Sequence, residues 1–346
     1  MGVQLDVDGI SVRYARTAPG VFRRVRGYVG AVEDVSFSIA RGETLGLAGE
    51  SGSGKTTVGR ALLRAVDPWQ GRVRLDTNDG MLDVTALGKS ALRRARRHMQ
   101  MIFQDPYASL NPRMTVHDII AESLVALHLE TSSRDISARV GRIAALCGLS
   151  REQLGRYPHA FSGGQRQRIA IARALVTSPR FVVCDEPISA LDVSIQVQIL
   201  NLLKDLQGEL GLTYLFIAHD LAAVAYVCDR IAILYLGKIV EIGPTRDVYF
   251  SPKHPYTEAL MSAVPEPDPD FPTRPLLMSG ERPDPANPPP GCRFHTRCRY
   301  ATELCVSTAP QPRPLGRQMV ACHHADVLTL QGASRAVEAS MEPIVP

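Results

Sequence analysis

The sequence predicts an α/β protein built on a parallel sheet, and three observations carry that prediction. Short apolar runs alternate with amphipathic segments from about residue 3 to residue 250, as in layered α/β folds. Residues 44–48 are apolar and lead directly into a glycine-rich turn. Residues 180–184 form a second apolar run, which is followed by two carboxylates. Both runs are typical of buried parallel strands whose carboxyl ends carry polar groups.

The glycine-rich turn has the spacing of a phosphate-binding loop (P-loop). Residues 49–56 read GESGSGKT, matching G-x-x-x-x-G-K-[ST], and we predict a helix beginning near Gly54. Glycines let backbone N–H groups point at phosphate oxygens, while Lys55 contacts the β- and γ-phosphates and Thr56 binds Mg²⁺. Thr57 stands where a dinucleotide-binding G-x-G-x-x-G needs its third glycine, so that motif is not formed. The predicted nucleotide-binding residues of the loop are Gly49, Ser51, Gly52, Ser53, Gly54, Lys55, Thr56 and Thr57.

Two carboxylates, Asp185 and Glu186, follow the second apolar run. Because parallel strands end at one edge of a sheet, we expect both residues beside the P-loop. Asp185 is predicted to orient Mg²⁺ through water, and Glu186 to polarise the attacking water as general base. An acidic surface turn is the alternative for this pair when it is taken alone.

Residues 162–165 read SGGQ and open an amphipathic segment. Ser162 and Gln165 have the spacing of a capping box, so a simple helix N-cap is one interpretation. The two glycines add nothing to a cap and each lowers helix propensity by about 1 kcal/mol. We therefore predict that Ser162, Gly163, Gly164 and Gln165 approach a phosphate at the positive end of a helix.

Composition bounds the functional class. The chain has 346 residues, is 45% hydrophobic and 21% charged, and has a formal net charge of +4. These values are those of a globular protein, and the charge gives no strong argument for nucleic acid. No apolar run approaches the roughly 18 residues of a membrane span, and no secretory signal begins the chain, so we expect a cytosolic protein with reduced thiols.

Three regions are predicted along the chain. We expect a nucleotide-binding domain at 1–250 with a helical subdomain at about 106–178, an extension at 251–326, and a tail without clear periodicity at 327–346. Residues 231–242 are predicted to form a hairpin. Ten of the 25 prolines lie between Pro265 and Pro290, which indicates a linker or an extended surface segment.

Four of the seven cysteines fall together in the extension, at Cys292, Cys298, Cys305 and Cys322. Their spacing, C-x₅-C-x₆-C-x₁₆-C, suits tetrahedral Zn²⁺ or a four-thiolate iron–sulfur cluster, and it leaves unligated thiols open as well. The spacing alone chooses none of these. The other three cysteines lie in apolar surroundings and are expected to be buried hydrophobes.

Taken together, the motifs resemble the ATPases of ABC transporters, in which an SGGQ signature stands between a P-loop and an Asp-Glu strand. The resemblance implies that Gln104 senses Mg²⁺ and the γ-phosphate and that His219 holds the γ-phosphate. It places Asp192 at a dimer seam and Tyr14 against adenine, where a core tyrosine is the alternative. In that family two subunits sandwich two nucleotides, each site using the P-loop of one subunit and the signature of the other. The implied fold is that of a P-loop NTPase, and a monomer would be catalytically incomplete.

Further segments resemble the ATPases of dipeptide and oligopeptide importers. The similarity covers residues 1 to about 326 and rests on residues 103–113, 157–161, 254–257 and 291–298. Residues 59–62 and 111–114 are more similar to the second, F-type ATPase of importers that carry two different ones. This resemblance favours a [4Fe–4S] cluster at the four cysteines over zinc.

The implied assembly has several partners at the cytoplasmic face of the inner membrane. They are a second ATPase subunit, two transmembrane permeases and an extracytoplasmic substrate-binding protein. Residues 104–113 would help to receive the coupling helices of the permeases. Two rivals are a soluble ABC ATPase acting on nucleic acid or ribosomes and a non-hydrolysing regulatory subunit.

Overall fold

A mainly parallel β-sheet frames the site and places the glycine-rich loop at one of its edges. The computed structural model describes residues 2–17, 25–130, 132–264, 276, 278 and 280–333. In these residues the chain forms a four-stranded sheet and an eight-stranded sheet. In chain order the strands are β1 (Val3–Thr17), β2 (Val25–Ala40), β3 (Thr44–Ala48), β4 (Gln70–Thr77), β5 (Gly80–Asp83), β6 (Met99–Ile102), β7 (Phe181–Asp185), β8 (Thr213–Ile217), β9 (Arg230–Tyr235), β10 (Lys238–Pro244), β11 (Arg313–Leu315) and β12 (Gln318–Val320).

In chain order, most of the helices connect successive strands of the larger sheet. They are α1 (Lys55–Leu62), α2 (Lys89–Ala95), α3 (Pro106–Ser109), α4 (Val116–Ala126), α5 (Ser133–Leu146), α6 (Gly163–Leu175), α7 (Val193–Leu210), α8 (Leu221–Val227), α9 (Thr245–Phe250), α10 (Pro255–Met261) and α11 (Glu303–Ser307). The predicted strand at 44–48 and the helix after Gly54 are confirmed.

The larger sheet has the order β11-β12-β10-β9-β3-β8-β7-β6, and its strands from β9 to β6 are parallel. In its register Leu47 of β3 and Asp185 of β7 both lie opposite Ile217 of β8. The ends of β3 and β7 are therefore level. This level register brings the P-loop and the Asp-Glu pair to one edge of the sheet, as the sequence predicts.

Alternate residues of the central strands enter two separate hydrophobic clusters. Val183 and Leu215 pack with Val58 of α1 and with the smaller sheet, whereas Cys184 and Phe216 pack with the helices on the other face. Because strand side chains point alternately to the two faces, both faces are covered and the runs read as continuously apolar. The result is a layered α/β architecture.

Helices α3 to α6 lie within the region of about 106–178 where the sequence predicts a helical subdomain. Helix α4 illustrates its construction, because the Thr115 side chain caps the N–H of Asp118 and the apolar residues share one face. Val116, Ile120 and Leu124 are spaced by four residues and are fully buried against the neighbouring helices. This face belongs to the same hydrophobic cluster as Cys184 and Phe216 of the central sheet.

The alternation of strands and helices expected from residue 3 begins only at β3. Before it, β1 and β2 pair directly, and the smaller sheet has the antiparallel order β2-β1-β4-β5. Long amphipathic strands of this kind alternate between a buried and an exposed face, and periodicity alone does not separate such an antiparallel sheet from a mixed one. Residues 29–31 of β2 extend this sheet to the P-loop.

The C-terminal extension joins the central sheet through its last strands. The hairpin of β11 and β12 continues the sheet because Val320 pairs with Glu241 of β10. Much of the proline-rich stretch, and the tail after residue 333, lie outside the described residues. In the ranges given above, no helix combines the length and the apolar character that crossing a bilayer requires.

Candidate nucleotide-binding site

A cavity of about 290 Å³ opens at the edge of the central sheet. Its walls come from the P-loop, from residues 29–31 of β2, from the ends of β6 and β7, from the turn after β9 and from the extension. The lining residues are Val29, Gly30, Ala31, Ser51, Gly52, Ser53, Gly54, Lys55, Thr56, Thr57, Gln104, Glu186, Leu236, Gly237 and Pro285. Glycine, serine and threonine make up most of the loop. The cavity therefore presents backbone amides and hydroxyl groups, as a phosphate site requires.

Backbone geometry at two glycines explains the spacing of the loop. Gly49 has φ +147°, and an added Cβ would lie 2.2 Å from the carbonyl oxygen of Leu234. Gly54 has φ +110°, and an added Cβ would lie 2.5 Å from the carbonyl oxygen of Ala31. A side chain at either position would collide with backbone atoms of a neighbouring strand, so only glycine fits.

Lys55 lies inside the loop and is 5% exposed. Its Nζ donates hydrogen bonds to the carbonyl oxygens of Gly49, at 2.7 Å, and Glu50, at 3.0 Å. Burial lowers the pKa of Lys55, and this shift is opposed chiefly by the carboxylate of Glu186 and also by that of Asp185. The ammonium group therefore stands among acceptors and acidic groups, where the negative oxygens of a triphosphate would compete for it.

Two oxygen-bearing side chains suited to bind Mg²⁺ lie next to each other beside the cavity. The Thr56 hydroxyl donates a hydrogen bond of 2.8 Å to Oδ1 of Asp185, which is 2% exposed. Burial raises the pKa of Asp185, and the bond from Thr56 opposes that shift. Hydroxyl and carboxylate oxygens are ligands that Mg²⁺ prefers, so these two residues fit the predicted metal role.

Two residues from separate parts of the chain converge on Glu186. Its Oε2 accepts a hydrogen bond of 2.8 Å from Nε2 of Gln104 and lies 3.3 Å from Nδ1 of His219. Glu186 has φ +48°, a conformation that non-glycine residues rarely adopt and that clusters at functional sites. The structure therefore brings together the predicted general base, the glutamine after β6 and the histidine after β8, on one side of the cavity.

The SGGQ turn begins α6, and within the described residues it contributes nothing to the lining of this cavity. Ser162 and Gln165 form the complete capping box, so the cap expected as an alternative is present. Gly164 has a packing reason as well, because an added Cβ would lie 2.6 Å from Cγ2 of Ile195. Asp192 is the N-cap residue of α7 and is exposed to solvent. Neither the SGGQ turn nor Asp192 is among the residues that line this cavity.

Tyr14 lies at the rim of the site. Its hydroxyl is 3.5 Å from Oγ1 of Thr57, and the side chain is 41% exposed. A core tyrosine would be buried, so the exposed ring is available to stack on a base. Its assignment to adenine stays a prediction.

The four cysteines of the extension line one small cavity together with His295, His323 and His324. Backbone N–H groups contact three of the sulfurs, and burial raises the pKa of Cys298 and Cys322 to about 11. All seven cysteines are free thiols, and Cys147, Cys184 and Cys228 are buried as expected. Among the residues given a position, however, no three His, Cys, Asp or Glu side chains have the geometry of a metal site. The donor set suits a cluster, whereas the arrangement shown is that of packed thiols.

Sequence reasoning missed the contribution of distant segments to the cavity. The turn after β9 lies against the loop, because Gly237 donates to the carbonyl oxygen of Ser53 at 2.8 Å. Pro285 and Arg282 reach it from the extension, where the Arg282 guanidinium donates to the carbonyl oxygen of Ser51. The hairpin glycine was a usable signal for the first contact. Nothing in the local sequence indicated the second.

Comparison with known proteins assigns both halves of the chain to described families. Residues 32–189 match the ABC transporter family, and residues 240–305 match the oligopeptide/dipeptide transporter C-terminal region. The oligopeptide transport ATP-binding protein OppF of Salmonella typhimurium is 49% identical over 302 residues, covering 86% of this chain and 89% of that protein. The oligopeptide transport ATP-binding protein AppF of Bacillus subtilis is 45% identical over 315 residues, covering 90% and 94%.

Solved structures show the same fold. A dimeric ATP-binding cassette in a post-hydrolysis state with ADP and Pi is similar with a TM-score of 0.60 and 26% identity, over 70% of this chain and 99% of that one. The protein cbiO1 of Clostridium perfringens, part of an ABC transporter complex, is similar with a TM-score of 0.60 and 25% identity, over 72% and 91%.

Proposed function

The chain belongs to the family of ABC transporter ATP-binding proteins, and we propose that it powers the import of short peptides across the cytoplasmic membrane. ATP binding and hydrolysis are the activity of this family, and the chain is an ATPase. The single observation that carries the site assignment is the convergence of Lys55, Asp185 and Glu186 at one cavity behind the P-loop. A non-hydrolysing regulatory subunit would not need this set.

The geometry supports separate roles for the residues of the site in ATP hydrolysis. Lys55 and the loop amides bind the phosphates. Thr56 and Asp185 would hold Mg²⁺, which would supply positive charge to offset that of the phosphates. Glu186 accepts a proton from the attacking water, and the bond from Gln104 holds its carboxylate in place. His219 lies beside the same oxygen and is positioned to contact the γ-phosphate.

The peptide assignment rests on the relatives and on the extension. The names of OppF and AppF state oligopeptide transport, and the matched C-terminal region is described for oligopeptide and dipeptide transporters. These names lend no support to the rival role on nucleic acid or ribosomes. We propose peptide cargo, two permease subunits, a substrate-binding protein and a position at the inner face of the membrane. The divisions at 250 and 326 are proposed as domain boundaries.

We also propose that the catalytic unit contains a second ATPase subunit, a paralogue of this F-type chain. The SGGQ turn and Asp192 are not part of the cavity lining, and Ser162 and Asp192 are exposed, which suits contact with a partner's nucleotide. The similar cassette described as dimeric supports the same arrangement. ATP would close the pair, and hydrolysis would reopen it.

Transport by the reconstituted complex tests the proposed function. We expect proteoliposomes that contain this chain, its partner ATPase and the permeases to take up a labelled tripeptide when ATP and the peptide-binding protein are supplied. Uptake should be absent with ADP and with a Glu186→Gln subunit. Peptide uptake that continues with ADP, or an active ATPase whose rate ignores the permeases and the loaded binding protein, would contradict the proposal.

For the four cysteines we propose a [4Fe–4S] cluster held by Cys292, Cys298, Cys305 and Cys322. Four thiols around one cavity, with backbone N–H groups directed at three of the sulfurs, support it. When bound, the cluster would supply a cross-link between segments of the extension that are far apart in sequence. Zinc at the same thiols is the alternative.

Anaerobic purification tests the cluster. We expect brown protein with absorbance near about 400 nm, and loss of that absorbance in a Cys305→Ser variant but not in the matched Cys147→Ala variant. Cys147 is equally buried and lies in the helical subdomain. A colourless chain that holds zinc would favour the alternative, and a colourless, metal-free chain with full ATPase activity would refute any metal there.

A further inference from the structure

The extension contacts the P-loop at Glu50, a position where the phosphate-binding pattern allows any residue. Arg297 lies in the short turn between Cys292 and Cys298, and its two terminal nitrogens donate to the two carboxylate oxygens of Glu50 at 2.9 and 3.0 Å. The Arg297 side chain is 9% exposed and that of Glu50 is 22% exposed. A paired, two-point bond with this burial is much stronger than an ordinary surface ion pair.

The backbone of Glu50 is held by the same part of the chain. Its N–H donates to the hydroxyl of Tyr256 at 2.8 Å, and Tyr256 is fully buried in the first turn of α10. That turn is anchored in turn to β10, because the buried Glu241 carboxylate accepts the N–H groups of Lys253 and His254 at 2.8 and 3.0 Å. The segment of the extension that contacts the loop is therefore itself held in place by hydrogen bonds to β10.

The charge of Glu50 makes this contact relevant to ATP. The carboxylate acts on Lys55, whose Nζ lies 3.0 Å from the Glu50 carbonyl oxygen and which is assigned to the phosphates. An unpaired carboxylate near a triphosphate would repel it, since like charges at short range in a partly buried site interact strongly. Arg297 places a positive charge directly on that carboxylate and cancels it.

We propose that Arg297 is a positioning residue for ATP binding: it neutralises Glu50 and, together with Tyr256, holds the first turn of the P-loop in its phosphate-binding shape. The C-terminal extension is thereby part of the nucleotide site of its own chain. This inference rests on ATP binding by the loop and is independent of the transported solute.

The test is ATP binding by the purified full chain, measured by titration calorimetry in EDTA so that no hydrolysis occurs. We expect Arg297→Gln to weaken ATP binding about tenfold, because it leaves Glu50 unpaired beside the phosphates. Glu50→Gln should bind ATP at least as tightly as wild type. The double variant should bind within about twofold of Glu50→Gln, since the carboxylate that Arg297 neutralises is gone.

Steady-state kinetics supply a second readout. The tenfold effect of Arg297→Gln should fall on KM for ATP and leave kcat within about twofold, because Glu186 and its neighbours are untouched. Arg299→Gln is the control: Arg299 lies in the same extension but pairs with Glu258, at 3.0 Å, and not with a residue of the P-loop. It should leave both constants unchanged.

Three results would overturn the inference while leaving the ATPase assignment intact. These are wild-type affinity in Arg297→Gln, a double variant as weak as Arg297→Gln alone, and an equal loss in Arg299→Gln. If Arg297→Gln fails to fold, Arg297→Lys decides, since it keeps the charge and loses one bond. We expect binding within about threefold of wild type, and a tenfold loss in that variant would refute the charge argument. Absence of ATP binding by the wild-type chain would instead contradict the proposed function.

Discussion

Replacing Glu186 by glutamine is expected to lower the ATPase rate by about a thousandfold while ATP binding persists. A positioned general base typically contributes a factor of about 10² to 10⁴. Glu186 is the carboxylate that Gln104 and His219 both address, whereas Lys55 and Thr56 carry the contacts to phosphate and Mg²⁺. Glutamine keeps the size of the side chain and an oxygen that accepts the Gln104 bond, so the site should stay assembled.

The measurement is phosphate release together with ATP binding for the same preparation. Glu209→Gln is a suitable control, because Glu209 is exposed near the end of α7 and does not line the cavity. It should hydrolyse ATP at the wild-type rate. Undiminished hydrolysis by Glu186→Gln would refute the role of this residue as base.

A change of Ser162 to aspartate is expected to abolish hydrolysis, by about a hundredfold or more, without weakening ATP binding by the isolated chain. Aspartate is as good an N-cap as serine, so α6 should keep its start. In a nucleotide sandwich, however, its negative charge would face the γ-phosphate bound by the partner subunit. Repulsion at that point would prevent closure of the dimer.

The matched variant is Ser162→Asn, which also caps a helix but adds no charge. It should retain most of the activity, and thermal unfolding of both variants should stay near that of wild type. Equal rates for the aspartate and asparagine variants would show that the turn meets no phosphate. ATP binding lost in the isolated aspartate variant would show that the turn acts within its own chain.

The local motifs of this chain could be predicted because each is a short pattern with its own physical reason. Glycines at positions 49 and 54 avoid collisions with neighbouring backbone. The apolar run of β7 ends in Asp185, and the sequence shows this without the position of the strand in the sheet. The roles of Gln104 and His219 at the γ-phosphate could be predicted only through resemblance to a family. Nothing in the residues around Gln104 and His219 specifies that they meet.

Long-range contacts escaped prediction for the same reason. The pairing of Arg297 with Glu50 joins positions separated by 247 residues, and neither belongs to a motif that names the other. The sequence also did not predict that the sheet carrying Val29 is antiparallel. The alternation of apolar and polar residues in its strands is the same as in other half-buried strands. For Gly164 the sequence indicated a phosphate, while the structure adds contact with Ile195.

The central claim is that a nucleotide bound by the P-loop of one ATPase subunit is completed by the SGGQ turn of another. A structure of the ATP-loaded complex, made with Glu186→Gln to hold ATP in place, tests it most directly. The account predicts Ser162 within hydrogen-bonding distance of the γ-phosphate on the partner's P-loop. A closed, ATP-loaded pair in which Ser162 is remote from both triphosphates would contradict it.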